Sequence, residues 1–198
     1  MKRHFKALSK KKKVIENYNL TSHFYDKRYK KIQGKKYGII LNNYQLKEKR
    51  VLDVGCGTGL LIEFILNNEI YNSDLSCNFV AIDISWNMLR EFRSKLLKIK
   101  SKANISLMLS DIENLPFRDS TFNLIFSFTS FQNLNEIREG IQELFRVASI
   151  NSDLKFSILK KKLQLDALVD FLKLNIKNLE IINEDYLEDF IIQGKIFK

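Results

Sequence analysis

Residues 51–59 read Val51-Leu52-Asp53-Val54-Gly55-Cys56-Gly57-Thr58-Gly59, an apolar run with an embedded aspartate, then glycine at every second position. The amphipathic run Leu60-Leu61-Ile62-Glu63-Phe64-Ile65-Leu66 follows at once. A strand, a glycine loop and a helix start let backbone pass close to a ligand. The glycines carry no Cβ, and the first N–H groups of a helix lack intrahelical partners. The spacing G-x-G-x-G is not the dinucleotide fingerprint G-x-G-x-x-G, and no Walker lysine follows, which excludes a P-loop. Asp53 would repel a pyrophosphate but suits a ligand carrying an ammonium or a sulfonium. A plain strand-to-helix turn is the alternative, although three alternating glycines cost backbone entropy that such a turn does not need.

Three more chemistry-bearing positions follow in order. Asn78-Phe79-Val80-Ala81-Ile82-Asp83-Ile84-Ser85 reads as a strand ending in an acid, with a helix opening at Trp86. A carboxylate there can accept the two hydroxyls of a ribose; it could also cap the helix, with Ser85 as the competing cap. The strand Ile105–Leu109 leads into Ser110-Asp111-Ile112-Glu113-Asn114-Leu115-Pro116-Phe117, which holds the only proline. Taken alone, Asp111 reads as an Asx-turn before that proline. Thr121-Phe122-Asn123-Leu124-Ile125-Phe126-Ser127-Phe128 is the fourth strand.

These four segments resemble the class I S-adenosyl-L-methionine-dependent methyltransferases of the small, methyltransferase-domain-only type. The glycine motif matches that family at every position, and the resemblance spans roughly residues 48–160. It implies an α/β fold: a doubly wound, Rossmann-like seven-stranded sheet, mostly parallel with an antiparallel last strand, and helices on both faces. It also implies roles. Gly55, Cys56, Gly57 and Gly59 would underlie the methionine part of the cofactor, and Asp53 would act near its amino group. Asp83, with Ile84 beside it, would bind the ribose. Asp111 would face the adenine amino group, and the Ile112 N–H a ring nitrogen. Ser127 and Phe128 would lie beside the methionine. Asn123 departs from the family's usual Phe-Asp. His23-Phe24-Tyr25-Asp26-Lys27-Arg28-Tyr29 resembles a Tyr-Asp-x-x-Tyr stretch that often covers the cofactor in small members, making Tyr25 and Tyr29 candidate lid residues; aromatic packing is the alternative.

The acceptor half carries fewer signals. Ser127-Phe128-Thr129-Ser130-Phe131-Gln132-Asn133 lacks the Asn/Asp-Pro-Pro-aromatic signature of amide and exocyclic-amine methylation, and it has no histidine. Gln132 and Asn133 could orient an acceptor or cap the next helix, so no catalytic residue is assigned. The segment is similar to tRNA and rRNA methyltransferases, some of which need a small zinc-ribbon activator protein. That implies RNA or a ribosomal particle as acceptor. A small-molecule acceptor is the main alternative, and a cofactor-binding protein without catalysis is the third.

Composition sets the frame. The 198 residues fit a single methyltransferase domain, with a basic, helical extension or lid over 1–47 and a catalytic core over 48–198. Lys and Arg total 33 against 23 acids, a net charge of +10, concentrated before residue 37. Such a basic region could hold an anionic partner or be a solvated leader. No apolar run approaches the roughly 20 residues of a membrane span, and no apolar signal segment follows the basic start, so the expected location is cytoplasmic. Cys56 and Cys77 are too few for a disulfide framework, and Cys56 reads as a small packing residue. His4 and His23 form no metal pair, so no metal is expected.

Periodicity supplies the elements. Residues 1–13 read as a basic arm or first helical turn, and 14–47 as a helix interrupted by Gly34 and Gly38. Helices are expected near 60–68, 86–100, 135–148 and 163–175, and a fifth strand over 153–159. The tail predicts an antiparallel hairpin of 179–183 and 190–197.

Overall fold

The alternation of apolar residues in the strands decides which side of the sheet each helix covers. In the computed structural model, which describes residues 2–72, 76–99, 103–162 and 165–197, seven strands form one sheet. They are β1 (Arg50–Val54), β2 (Asn78–Asp83), β3 (Asn104–Leu109), β4 (Phe122–Phe128), β5 (Ala148–Leu159), β6 (Ile176–Ile182) and β7 (Asp189–Ile196). The helices are α1 (Lys2–Leu41), α2 (Leu60–Leu66), α3 (Glu69–Asn72), α4 (Trp86–Leu96), α5 (Ile137–Val147) and α6 (Leu165–Lys173). Strand order is β3-β2-β1-β4-β5-β7-β6. The neighbours from β3 to β5 pair parallel, and β7 runs antiparallel to both β5 and β6. This is the expected doubly wound sheet with an antiparallel last strand.

Val51 and Phe126 belong to the core shared with α1, α2 and α4, whereas Leu52, Val54 and Ile125 belong to the core shared with α5 and α6. Asp53 therefore lies on the α1/α2 face, in step with Val51. The chain winds outward from β1 to β3, then crosses back to β4 on the other side of β1. That reversal opens a crevice beyond the carboxyl ends of β1 and β4, where open α/β sheets bind ligands.

Three expectations need correcting. α1 is one uninterrupted 40-residue helix, so Gly34 and Gly38 do not break it and the first 13 residues belong largely to it. Tertiary contact holds it: Gln33, Lys36, Tyr37, Ile40 and Leu41 are all buried. β5 begins five residues earlier than expected, because Ala148 pairs with Phe122 across a bulge before the regular register starts at Leu124 and Asp153. α4 ends at Leu96 rather than near residue 100, and Ser85 is its cap, accepting from Met88 N. Residue 100 and residues 163–164, the expected ends of two helices, lie outside the described residues.

Candidate functional site

The glycine loop turns at the end of β1, with φ of 70°, 55° and 78° at Gly55, Gly57 and Gly59. Only two of the three glycines answer to protein packing. A Cβ on Gly55 would lie 2.6 Å from Ser130 Cβ, and one on Gly59 would run into the Phe92 ring. At Gly57 a Cβ would meet nothing nearer than Tyr25 Cε1 at 3.9 Å, so this is where backbone is left open towards the crevice. Cys56 N donates to Ile82 O at 2.9 Å, locking the loop onto β2. The Cys56 thiol is buried and held well above its usual range by desolvation, which fits a packing residue and not a nucleophile.

Asp83 completes this geometry. Its carboxylate accepts from Gly57 N and from Ser85 N, each at 2.8 Å, so it braces the loop and the start of α4 together. Burial raises its pKa despite those bonds. Asp53 is buried at 3% exposure and accepts no hydrogen bond among the described residues. Desolvation, then the Asp83 charge, push it up to about 8. No cation pairs with either acid among the described residues. Asp111 differs: Lys11 of α1 pairs with it at 2.5 Å and also with Glu113. Asp111 also makes the Asx-turn, accepting from Glu113 N at 3.0 Å. Arg146 of α5 braces the segment through Leu115 O and Phe117 O. Asn123 keeps an acceptor where the family usually has an acid: its Oδ1 takes Arg50 N at 2.8 Å.

The crevice encloses about 760 Å³ including its open mouth. Gly55, Gly57, Asp83, Ile84, Asp111, Ile112, Phe128 and Tyr25 line it. Asp53 and Cys56 line a smaller adjoining chamber that shares Tyr25, Gly55 and Phe128. Ten of the sequence-predicted residues are thus brought together, and three are not. Gly59 serves the contact with Phe92. Ser127 is fully buried, donating to Val54 O at 3.0 Å. Tyr29 packs on Tyr25 with ring centroids 4.6 Å apart.

Sequence reasoning missed what α1 contributes. Lys11, Val14 and Tyr18 line the crevice with Tyr25. Their spacing of three, four and seven puts them on one helix face, the signal that could have found them. α1 is fastened to several strand ends: Tyr18 Oη accepts from Asn133 Nδ2 at 2.9 Å, and Asn19 Oδ1 accepts from Ser85 Oγ at 2.7 Å. Asp26 accepts from Thr58 Oγ1 and pairs with Lys95, each at 2.5 Å, pinning α1 to the glycine loop. Thr129 and Ser130, just past β4, also line the crevice. Thr129 has φ 55°, a left-handed conformation that a β-branched residue rarely adopts.

The residues present fit a ligand of mixed chemistry. An open backbone at Gly57, an acid at each of two strand ends and an uncompensated acidic pair, Asp53 and Asp83, suit a nucleoside carrying positive charge. Comparison with known proteins gives the same class. Residues 51–150 match a family model described as a methyltransferase domain. The chain is 27% identical over 147 residues to the malonyl-[acyl-carrier protein] O-methyltransferase of Bacillus anthracis, covering 72% of this chain and 51% of the relative. It is 34% identical over 125 residues to malonyl-[acyl-carrier protein] O-methyltransferase 2 of Ilyobacter polytropus, covering 62% of this chain and 44% of that one. The chain thus spans about half the length of these curated relatives. Its fold is similar to that of magnesium protoporphyrin IX methyltransferase from Synechocystis PCC 6803, with a TM-score of 0.72 at 17% identity over 94% of this chain and 97% of the other.

Proposed function

We propose that this chain, which belongs to the methyltransferase-domain family of class I S-adenosyl-L-methionine-dependent enzymes, transfers the cofactor's methyl group to an acidic oxygen of a small or carrier-tethered acceptor. The observation that carries the reading is the meeting of Gly57, Asp83 and Asp111 in one crevice, with Asp53 in the chamber beside it. When bound, S-adenosyl-L-methionine supplies an electrophilic methyl on a sulfonium. Asp83 would hold the ribose hydroxyls, Asp111 and the Ile112 N–H the adenine, and Asp53 the ammonium end. The chain's own task is to orient the two partners and keep water out.

The acceptor class rests on two supports. The relatives are named as O-methyltransferases of a carrier-bound malonyl group. Among the described residues no histidine lines the crevice, and the titratable groups that do are Lys11, Tyr18, Tyr25, Asp83 and Asp111. A carboxylate is ionised at neutral pH and needs no general base, whereas an amine or alcohol does. Three of the early lysines are paired within the chain, which lessens the charge open to an RNA or ribosomal acceptor. Lys11, Lys30 and Lys36 pair with Asp111, Glu63 and Asp189 of the same chain, and charge spent internally does not neutralise phosphates.

The test is transfer of labelled methyl into fractionated acyl and metabolite, protein and RNA pools. Label in the acyl and metabolite fraction that mild alkali releases is the expected result, since it marks a methyl ester. Alkali-stable label in RNA would overturn the acceptor class. The absence of any S-adenosylhomocysteine binding would overturn the enzyme reading.

A further inference from the structure

We propose that Gln33 of α1 is a cofactor-binding residue whose side-chain carbonyl receives the α-ammonium of the cofactor's amino-acid end, opposite Asp53. This rests on the cofactor reading above and adds a residue that no motif of the family marks. Gln33, Tyr37 and Asp53 are among the residues lining the narrow chamber beside the main crevice. Gln33 is 3% exposed, and its Nε2 donates to Thr129 Oγ1 at 3.2 Å.

The surroundings of Thr129 fix which way the amide faces. Lys36 Nζ donates to Thr129 Oγ1 at 2.7 Å, and a lysine ammonium has only protons to offer. The Thr129 hydroxyl proton goes to Asp189 Oδ2 at 2.9 Å. Thr129 therefore has only a lone pair left for Gln33, so the amide nitrogen must face it and the carbonyl must face away. That carbonyl oxygen, Gln33 Oε1, is buried and finds no donor among the described residues. Burial pushes the pKa of the Tyr25 hydroxyl up, and the Gln33 amide nitrogen, donating to its oxygen, lowers it by less, so the carbonyl is turned from Tyr25 as well. Among the described residues Asp53 likewise accepts no hydrogen bond. Among the described residues one chamber thus holds a buried carbonyl with no donor and an acidic side chain that accepts no hydrogen bond. Buried acceptors are rarely left so. The group that satisfies both at once has several N–H bonds, a positive charge and no lone pair, which describes an alkylammonium.

Calorimetry on the full chain tests this with three ligands. S-adenosylhomocysteine carries both the ammonium and the carboxylate, decarboxylated S-adenosylmethionine keeps only the amine, and 5′-methylthioadenosine has neither. Gln33→Leu should weaken the first two at least about tenfold and leave methylthioadenosine within about twofold, the scale of a lost hydrogen bond to a charged group. Gln33→Glu keeps a carbonyl oxygen but loses the bond to Thr129; it should hold S-adenosylhomocysteine within about threefold. An equal loss for all three ligands would mean that Gln33 acts through packing and overturns the proposal. So would a loss confined to S-adenosylhomocysteine, which would assign Gln33 to the carboxylate, or a tenfold loss in Gln33→Glu. Wild-type protein that binds none of the three would instead overturn the cofactor reading itself.

Discussion

Asp53 and Asp83 stand in one small volume and are held differently. Asp83 has two backbone N–H groups to steady its charge; Asp53 has none among the described residues. Burial therefore pushes Asp53 from 3.8 up to about 8. The folded protein keeps a proton there that the unfolded chain has released, so stability contributed at this site falls as pH rises from about 4 to about 8. Asp53→Asn removes that slope. Its melting temperature should match the wild type near pH 4, rise progressively above it towards pH 8 and hold a constant lead beyond. A lead that is the same at every pH would show that Asp53 does not titrate in this window. Asp83→Ala should weaken S-adenosylhomocysteine by about 1–3 kcal/mol in calorimetry, the scale of hydrogen bonds to a charge. Unchanged affinity would reduce Asp83 to a brace between Gly57 and Ser85.

At the scale of elements, α1 decides the most. Its two interior glycines have no neighbour within 4 Å of an added Cβ, and neither has a positive φ. Gly34→Ala and Gly38→Ala should each stabilise the chain by about 0.5–1 kcal/mol, raising the melting temperature by about 2–4 °C per kcal/mol. A lower melting temperature would mean that these glycines admit something that the helix needs. The same helix buries Lys36 at 1% exposure, paired at 2.7 Å with the equally buried Asp189 of β7. Burial lowers the lysine's pKa even so. Through Thr129, this pair joins α1 to β4 and, through Ser157, to β5. Lys36→Met strands a carboxylate and should cost about 3–5 kcal/mol by denaturant unfolding. The double change Lys36→Met with Asp189→Leu should cost clearly less than the two single changes added. Additive costs would show that the two charges are not coupled.

At the scale of the whole molecule, the sheet was legible in the sequence and the cover was not. Strands such as Val51–Val54 and Phe122–Phe128 declare themselves by apolar runs bounded by turns, and the acids at their ends mark the crevice. The strands also fix where those acids lie, so Asp83 and Asp111 could be found without knowing what faces them. α1 hides its role for a physical reason: the face it buries is partly polar. Gln33 and Lys36 are as buried as Tyr37 and Ile40, which blurs the helical apolar period and makes the segment read as a basic leader. Its partners are also far off in sequence, as with Lys11 and Asp111 or Tyr18 and Asn133. A helix fastened across several strand ends by polar contacts, with Lys11, Val14, Tyr18 and Tyr25 lining the crevice, should act as a removable cover. Part-buried polar clasps near a crevice mouth break locally at lower cost than an apolar core. Hydrogen exchange should therefore find residues 8–30 opening faster than residues 33–41, whose side chains reach Thr129, Asp189 and the core. S-adenosylhomocysteine should slow exchange in 8–30 and in the ends of β1, β2 and β4, and leave the β6–β7 hairpin unchanged. Slowing spread evenly over the sheet would mean that the ligand stabilises the fold globally and that α1 is a fixed wall. Slowing confined to the glycine loop would mean that α1 does not close over the ligand at all.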